Sequence, residues 1–196
     1  MNFLAHLYLS YPEEELTIGN FIADFIKNKD LPSYSQSIQN GIFLHRTIDF
    51  YTDTHPIVKK GTHRLQAAHH KYAPVVLDIL YDYILANNWE KYSNQKLTDF
   101  TQEIYQILLN NLEVIPLKIR HRLPDMIAND WLVSYGRDEG LRYTFERLKK
   151  RVSRPHFLEN AVESLHEHYE ILEKEFNLFF PDVIQHVKME ETLLAA

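Results

Sequence analysis

Gly41-Ile42-Phe43-Leu44-His45-Arg46-Thr47-Ile48-Asp49-Phe50-Tyr51-Thr52-Asp53 is the stretch on which the reading of this chain turns. At 3.6 residues per turn, His45, Asp49 and Asp53 follow one another along one helix face. Ile38 and Ile42 continue that face toward the N-terminus, so it points inward while carrying an imidazole and carboxylates. Buried ionisable groups are costly unless they are paired or bound to a metal. The stretch predicts a helix and directs the search for chemistry to its buried side.

The flanking sequence repeats the helical pattern. Toward the N-terminus, Ile18, Phe21, Ile22, Phe25 and Ile26 predict an apolar stripe, with Asn20 and Asp24 one turn apart at its edge. Met1 to Leu9 reads as a buried helical lead-in that carries His6. Pro12 suits a first helical turn, and Glu13 to Glu15 suit the positive end of a helix dipole. Asn28 to Ser37, with Pro32, reads as a loop.

Toward the C-terminus, the His45 helix should end near Thr54, ahead of Pro56. Pro56 to Tyr72 predicts a helix with Val58, Leu65 and Ala68 inward and His63, His69 and His70 as a solvated cluster. Pro74 opens the next helix, on which Asp78 and Asp82 share a face with Leu85 and Trp89. A helix over Leu97 to Leu112 precedes a basic connection from Val114 to Pro124. Another helix should run from Pro124 through Trp131, Leu132 and Tyr135 to Gly136 or Gly140. The last long helix carries Leu158, Ala161, Val162, Leu165, Tyr169, Leu172, Phe176 and Phe179. It should stop before Pro181, leaving a short terminal helix over Val183 to Leu194. The expected architecture is a single all-α domain over residues 1–196.

Composition narrows the function. Hydrophobic residues at 45% and aromatics at 13% of 196 residues predict a packed globular core. Five glycines leave little material for a phosphate-cradling loop, and a net charge of -6 argues against a nucleic-acid binder. With no cysteine, any metal must be held by His, Asp, Glu or Asn. The apolar N-terminus is short, interrupted by His6 and followed by glutamates, unlike a signal peptide. No apolar run approaches the ~18 residues that span a bilayer. A soluble, cytoplasmic protein without a membrane partner is expected.

His and Asp therefore recur on buried faces of at least three helices within the first 90 residues: His6, Asn20/Asp24, His45/Asp49 and Asp78/Asp82. Each pair has a structural explanation as a hydrogen-bonded core group. Burying so many carboxylates together without cations would be prohibitive. A hard divalent metal such as manganese, magnesium or iron resolves the problem and points to metal-assisted hydrolysis. No Gly-x-Ser-x-Gly elbow, Walker loop or dinucleotide fingerprint is present. Arg46, beside His45, could grip phosphate oxygens or form a surface ion pair.

Met1-Asn2-Phe3-Leu4-Ala5-His6-Leu7, Gly19-Asn20 with Ala23-Asp24-Phe25, and Gly41-Ile42 with His45-Arg46, Ile48-Asp49 and Thr52-Asp53 carry a family resemblance. With Asp78, Asp82, Leu85, Trp89, Trp131-Leu132, Tyr135 and Arg151 to Pro155, the chain resembles the acyl carrier protein phosphodiesterase family. The resemblance implies a helical fold distantly similar to metal-dependent HD-domain phosphohydrolases. It also implies removal of 4'-phosphopantetheine from holo acyl carrier protein, with Mn2+ (or Mg2+ or Fe2+) as cofactor. On that reading Asp24, His45 and one or both of Asp78 and Asp82 are metal ligands. Asp49 is a ligand or orients His45, and His6 is an acid or outer ligand. Tyr8 and Tyr83 stand where members often carry histidine.

From Arg142 to Arg154 the chain carries six basic residues and one acidic residue. Lys149, Lys150, Arg151 and Arg154 are candidates for docking an acidic carrier protein, or form an ordinary solvated face. Two alternative functions remain at the level of sequence. One is an HD-like phosphohydrolase for a nucleotide or other small phosphate ester; the other is a non-catalytic helical binding protein.

Overall fold

A computed structural model of the protein describes residues 1–194. Eleven α-helices are present among them: α1 (Phe3–Ser10), α2 (Glu14–Ile22), α3 (Gln36–Thr54), α4 (Pro56–His69), α5 (Ala73–Asn87), α6 (Leu97–Asn110), α7 (Leu117–Arg120), α8 (Leu123–Ala128), α9 (Trp131–Ser134), α10 (Asp138–Lys149) and α11 (Ala161–Leu194). Short 3-10 turns link several of them, and no strand occurs among the described residues. The fold is all-α, as the periodicity predicts.

The closest helix packing is between α2 and α3, and two glycines explain it. Gly19 and Gly41 face each other across the crossing. A Cβ on Gly41 would collide with the Leu16 carbonyl oxygen, and one on Gly19 with that of Ile38. Absent side chains let the two backbones touch, which side chains of any size would prevent. The crossing sets Asn20 of α2 against His45 of α3. Around it, α1 lies on α2 and α5, while α11 packs along α3, α4 and α5.

A second anchor fixes α1. The first N–H groups of a helix have no partner within it. Here Asp82, fully buried on α5, accepts from Leu4 N at 2.8 Å and Ala5 N at 3.1 Å. A carboxylate at a helix N-terminus also complements the dipole. Burial still pushes the Asp82 carboxyl up to about 7, the two backbone bonds offsetting only part of that cost.

Several boundaries differ from the sequence expectation. The helix does not stop before Pro181: α11 runs 34 residues through it to Leu194. An interior proline costs roughly 3 kcal/mol, but Phe179, Phe180, Val183 and Val187 are buried on either side and hold the helix in register. The predicted helix from Pro124 is divided into α8 and α9 by Asp130, whose φ of 43° is left-handed. Asp130 is held there by the Tyr105 hydroxyl at 2.9 Å. A short α7 interrupts the predicted connection after Val114, and α2 gives way at Ala23 to a 3-10 turn that carries Asp24. His69 is buried rather than solvated, bridging the Phe157 carbonyl (2.7 Å) and Ser164 Oγ (2.9 Å), and Ala68 is exposed.

The α2–α3 crossing yields a stability prediction. Gly41→Ala gains up to ~1 kcal/mol of helix propensity but must overpack a backbone contact, a cost of about 1–3 kcal/mol or more. Urea denaturation should show net destabilisation; a stabilised variant would contradict the close-contact account.

Candidate active site

Asn20 is the hub of the buried polar cluster. Its Nδ2 donates to the His6 carbonyl oxygen at 2.9 Å, which fixes its Oδ1 as the atom facing the histidines. That oxygen then accepts from His6 Nδ1 at 3.0 Å and from His45 Nδ1 at 2.9 Å. The two rings stack with centroids 4.0 Å apart. Asn20 is fully buried, and both histidines are less than one-tenth exposed.

This arrangement determines what the other ring nitrogens can do. With Nδ1 protonated, a neutral imidazole presents an electron pair at Nε2. His6 Nε2 lies 3.0 Å from Asp49 Oδ1. His45 Nε2 lies 3.3 Å from Asp49 Oδ2 and 3.4 Å from Asp24 Oδ1. Electron pairs facing carboxylate oxygens repel unless positive charge sits between them. Burial opposes a proton on His45, yet Asp24 and Asp49 outweigh it and raise its pKa to about 9. Burial and the neighbouring His45 lower His6 to about 4, so the cluster does not readily take a second proton.

A divalent cation meets the same demand. His6, His45 and Asp49 each offer a ligand atom, all within 4.8 Å of one another. Octahedral ligands at ~2.1 Å from an ion lie ~3 Å apart along each edge, close to the 3.0–3.4 Å spacings here. The donor set, imidazole and carboxylate with Nδ1–H fixed by a neighbour, could hold a divalent metal. The residues fit the group.

The structure distributes the sequence candidates unevenly. It brings His6, Asp24, His45 and Asp49 together. Asp49 is held ionised by His45 and His6 against the cost of burial, and Asp24 is lowered chiefly by its His45 hydrogen bond. Asp78 and Asp82 are not brought to the histidines. Both Asp82 oxygens are taken by the α1 backbone, and Asp78 Oδ1 lies 3.4 Å from the Met1 amino group, which also lies 3.3 Å from Asp49 Oδ1. Arg46 turns toward Phe43, its guanidinium 5.9 Å from the ring, and does not line the cavity beside the cluster.

Tyr8 and Tyr83 also lie elsewhere. Tyr8 donates to the Tyr92 carbonyl at 2.6 Å, and Tyr83 sits edge-on to Tyr169 of α11. Within the basic run, Lys149 pairs with Glu146 at 2.6 Å, Lys150 and Arg154 are exposed, and Arg151 lines the cavity.

That cavity, about 430 Å³, opens beside the cluster. Asp24, Asp49, Asp53 and Asp78 line one part of it, Phe3, Phe21, Phe25 and Val75 supply apolar wall, and Arg122, Arg147 and Arg151 line another part. The role of Asn20 as the hub of the histidines, and Arg122 and Arg147 as cavity residues, escaped the sequence reading. Asn20 left a trace, one turn before Asp24; nothing local marks Arg122. Asn20→Ala would orphan two buried ring donors at about 1–3 kcal/mol each. Urea denaturation of metal-free protein should register that loss; a change below ~1 kcal/mol would contradict the hub role.

The acyl carrier protein phosphodiesterase family model matches residues 1–183. Among similar proteins, the acyl carrier protein phosphodiesterase of Yersinia enterocolitica serotype O:8 / biotype 1B is 31% identical over 182 residues, covering 92% of this chain and 94% of that relative. The one from Yersinia pestis is 29% identical over 192 residues, covering 97% and 100%. The one from Photorhabdus laumondii is 28% identical over 186 residues, covering 94% of each chain. No solved structure matches the chain. Matched over nearly its whole length by the family and by these relatives, the chain belongs to the acyl carrier protein phosphodiesterase family.

Proposed function

We propose that this protein is a metal-dependent phosphodiesterase that hydrolyses 4'-phosphopantetheine from holo acyl carrier protein, leaving the apo form. The observation that carries the proposal is the orientation of the two histidines. Asn20 holds both Nδ1–H groups, so both Nε2 atoms turn to the carboxylates of Asp49 and Asp24 beside an open cavity.

His6, His45 and Asp49, with Asp24 at the exposed edge, would hold the cation, Mn2+ being the proposed occupant and Mg2+ or Fe2+ the alternatives. A bound divalent ion supplies Lewis acidity toward a phosphoryl oxygen and lowers the pKa of water. Asn20 fixes the ring tautomers, as outer partners of metal-binding histidines do. Ionised Asp24 sits at the cavity, two-thirds exposed, and can accept a hydrogen bond from the attacking water and orient it. The apolar wall of Phe3, Phe21, Phe25 and Val75 suits the neutral arm of the prosthetic group and excludes water around it. Asp82 and Asp78 act in support: Asp82 by fixing the start of α1, and so His6, and Asp78 by lying against the Met1 amino group.

In this proposal residues 1–196 act as one domain, consistent with one buried apolar cluster that runs from Met1 to Val187. Distant kinship with HD-domain phosphohydrolases accords with helical His and Asp ligands. No described helix is long and apolar enough to cross a membrane, and a cytoplasmic role in lipid metabolism follows from the proposed substrate.

Incubation of the Mn2+-loaded protein with holo acyl carrier protein, followed by intact mass measurement, tests the reading. The carrier should lose the phosphopantetheine mass. Chelation or His45→Ala should abolish the loss, and Asn20→Ala should reduce its rate about 10–100-fold. An unchanged carrier mass alongside cleavage of a small phosphate diester would replace the proposed substrate with a small phosphate ester.

A further inference from the structure

Three arginines line the same cavity as Asp24 and Asp49 of the cluster but come from different elements. Arg122 immediately precedes α8, Arg147 lies on α10, and Arg151 follows α10. Arginines gathered in one place repel one another, and a protein normally offsets that with carboxylates. Here the only close carboxylate among the described residues is Asp125, 3.7 Å from Arg147. Arg122 and Arg151 have no ion-pair partner among the described residues. The Arg151 pKa is lowered, chiefly by desolvation and further by the nearby Arg122 and Arg147.

The neighbouring basic residues behave differently. Arg142 pairs with Glu163 at 2.9 Å, and Lys149 with Glu146 at 2.6 Å. Their charges are met within the chain. Arg147 is also held in place: its guanidinium lies 3.7 Å from the Trp131 ring centroid and 5.5 Å from that of Tyr143. Stacking leaves the edge N–H donors of a guanidinium free for a planar acceptor. The carboxylates of the cavity line another part of it, and Arg122 and Arg151 pair with none of them, so this positive cluster on a chain of net charge -6 suits an anionic partner from outside.

We infer that Arg122, Arg147 and Arg151 form a docking subsite for carboxylates on the surface of an acidic protein partner. Under the proposed function, on which this assignment of the partner rests, that protein is the acyl carrier protein. The subsite lies within the cavity that the His/Asp cluster opens onto, so one docking event would seat the acidic surface and present the prosthetic group. It also separates labour within the cavity. Carboxylates and histidines attend the reacting phosphate, and the arginines hold the protein that bears it.

Fluorescence anisotropy of labelled apo acyl carrier protein, titrated with the Mn2+-loaded enzyme at low and high salt, tests this directly. The apo carrier lacks the arm, so its binding reads docking without the reaction. R122E/R151E should weaken binding about tenfold or more and flatten its salt dependence. K149E/K150E, reversing charges outside the cavity, should change it by less than about threefold. R122K/R151K should recover much of the affinity, since the contact is chiefly electrostatic. If the charge reversal prevents folding, judged by circular dichroism, R122Q/R151Q reads the same effect.

Wild-type binding lost equally in K149E/K150E, or retained in R122E/R151E, overturns the subsite. So does the absence of apo-carrier binding by wild type. Normal carrier binding by R122Q/R151Q with lost cleavage of a small phosphate diester would instead assign the arginines to the reacting phosphate. Arginine-dependent binding without loss of phosphopantetheine from holo carrier would sustain the subsite while removing the proposed reaction.

Discussion

The crossing of α2 and α3 at Gly19 and Gly41 is the constraint on which the site depends. Ordinary side chains hold helix axes 8–10 Å apart. Two facing glycines permit a closer approach, and only then can Asn20 reach a histidine one turn beyond Gly41. The crossing places one amide oxygen between two imidazoles contributed by α1 and α3. Backbone packing thus determines proton positions: the Nδ1–H of each ring is committed, and each Nε2 is left to face carboxylate.

Burial gives this commitment its chemical force. In water, an imidazole facing a carboxylate is readily screened; in the core, the arrangement is costly unless positive charge is present. The inward-facing acids meet different partners, with one shared. Asp82 is met by backbone N–H groups at the start of α1, Asp78 by the Met1 amino group, and Asp49 by that amino group and both histidines. Only the last leaves ring nitrogens and carboxylate oxygens converging on common space beside a cavity. That distinction separates a site for a cation from carboxylates that hold the fold together.

Much of this was legible in the sequence, and what was not has identifiable causes. The 3.6-residue spacing of apolar positions gave the helices, and the His45-to-Asp49 spacing gave one wall of the cluster. Asp49 and Asp82 look alike locally, since both lie on inward helix faces. What separates them is the partner at the far side, and for Asp82 that is a helix start 77–78 residues away. No local pattern reports such a contact. The same applies to Arg122, which nothing in the chain groups with Arg147 and Arg151. Pro181 misled in the opposite sense, because buried aromatic packing outweighed the local rule.

The central claim is that Asn20 presents the Nε2 atoms of His6 and His45 to one divalent cation. Nitrogen-15 NMR of the histidine rings, followed while the diamagnetic ion Cd2+ is added at neutral pH, measures this atom by atom. Nε2 resonances of both His6 and His45 should shift on addition of one equivalent, with both Nδ1 atoms remaining protonated. Unchanged Nε2 resonances, or ligation through either Nδ1, would contradict it.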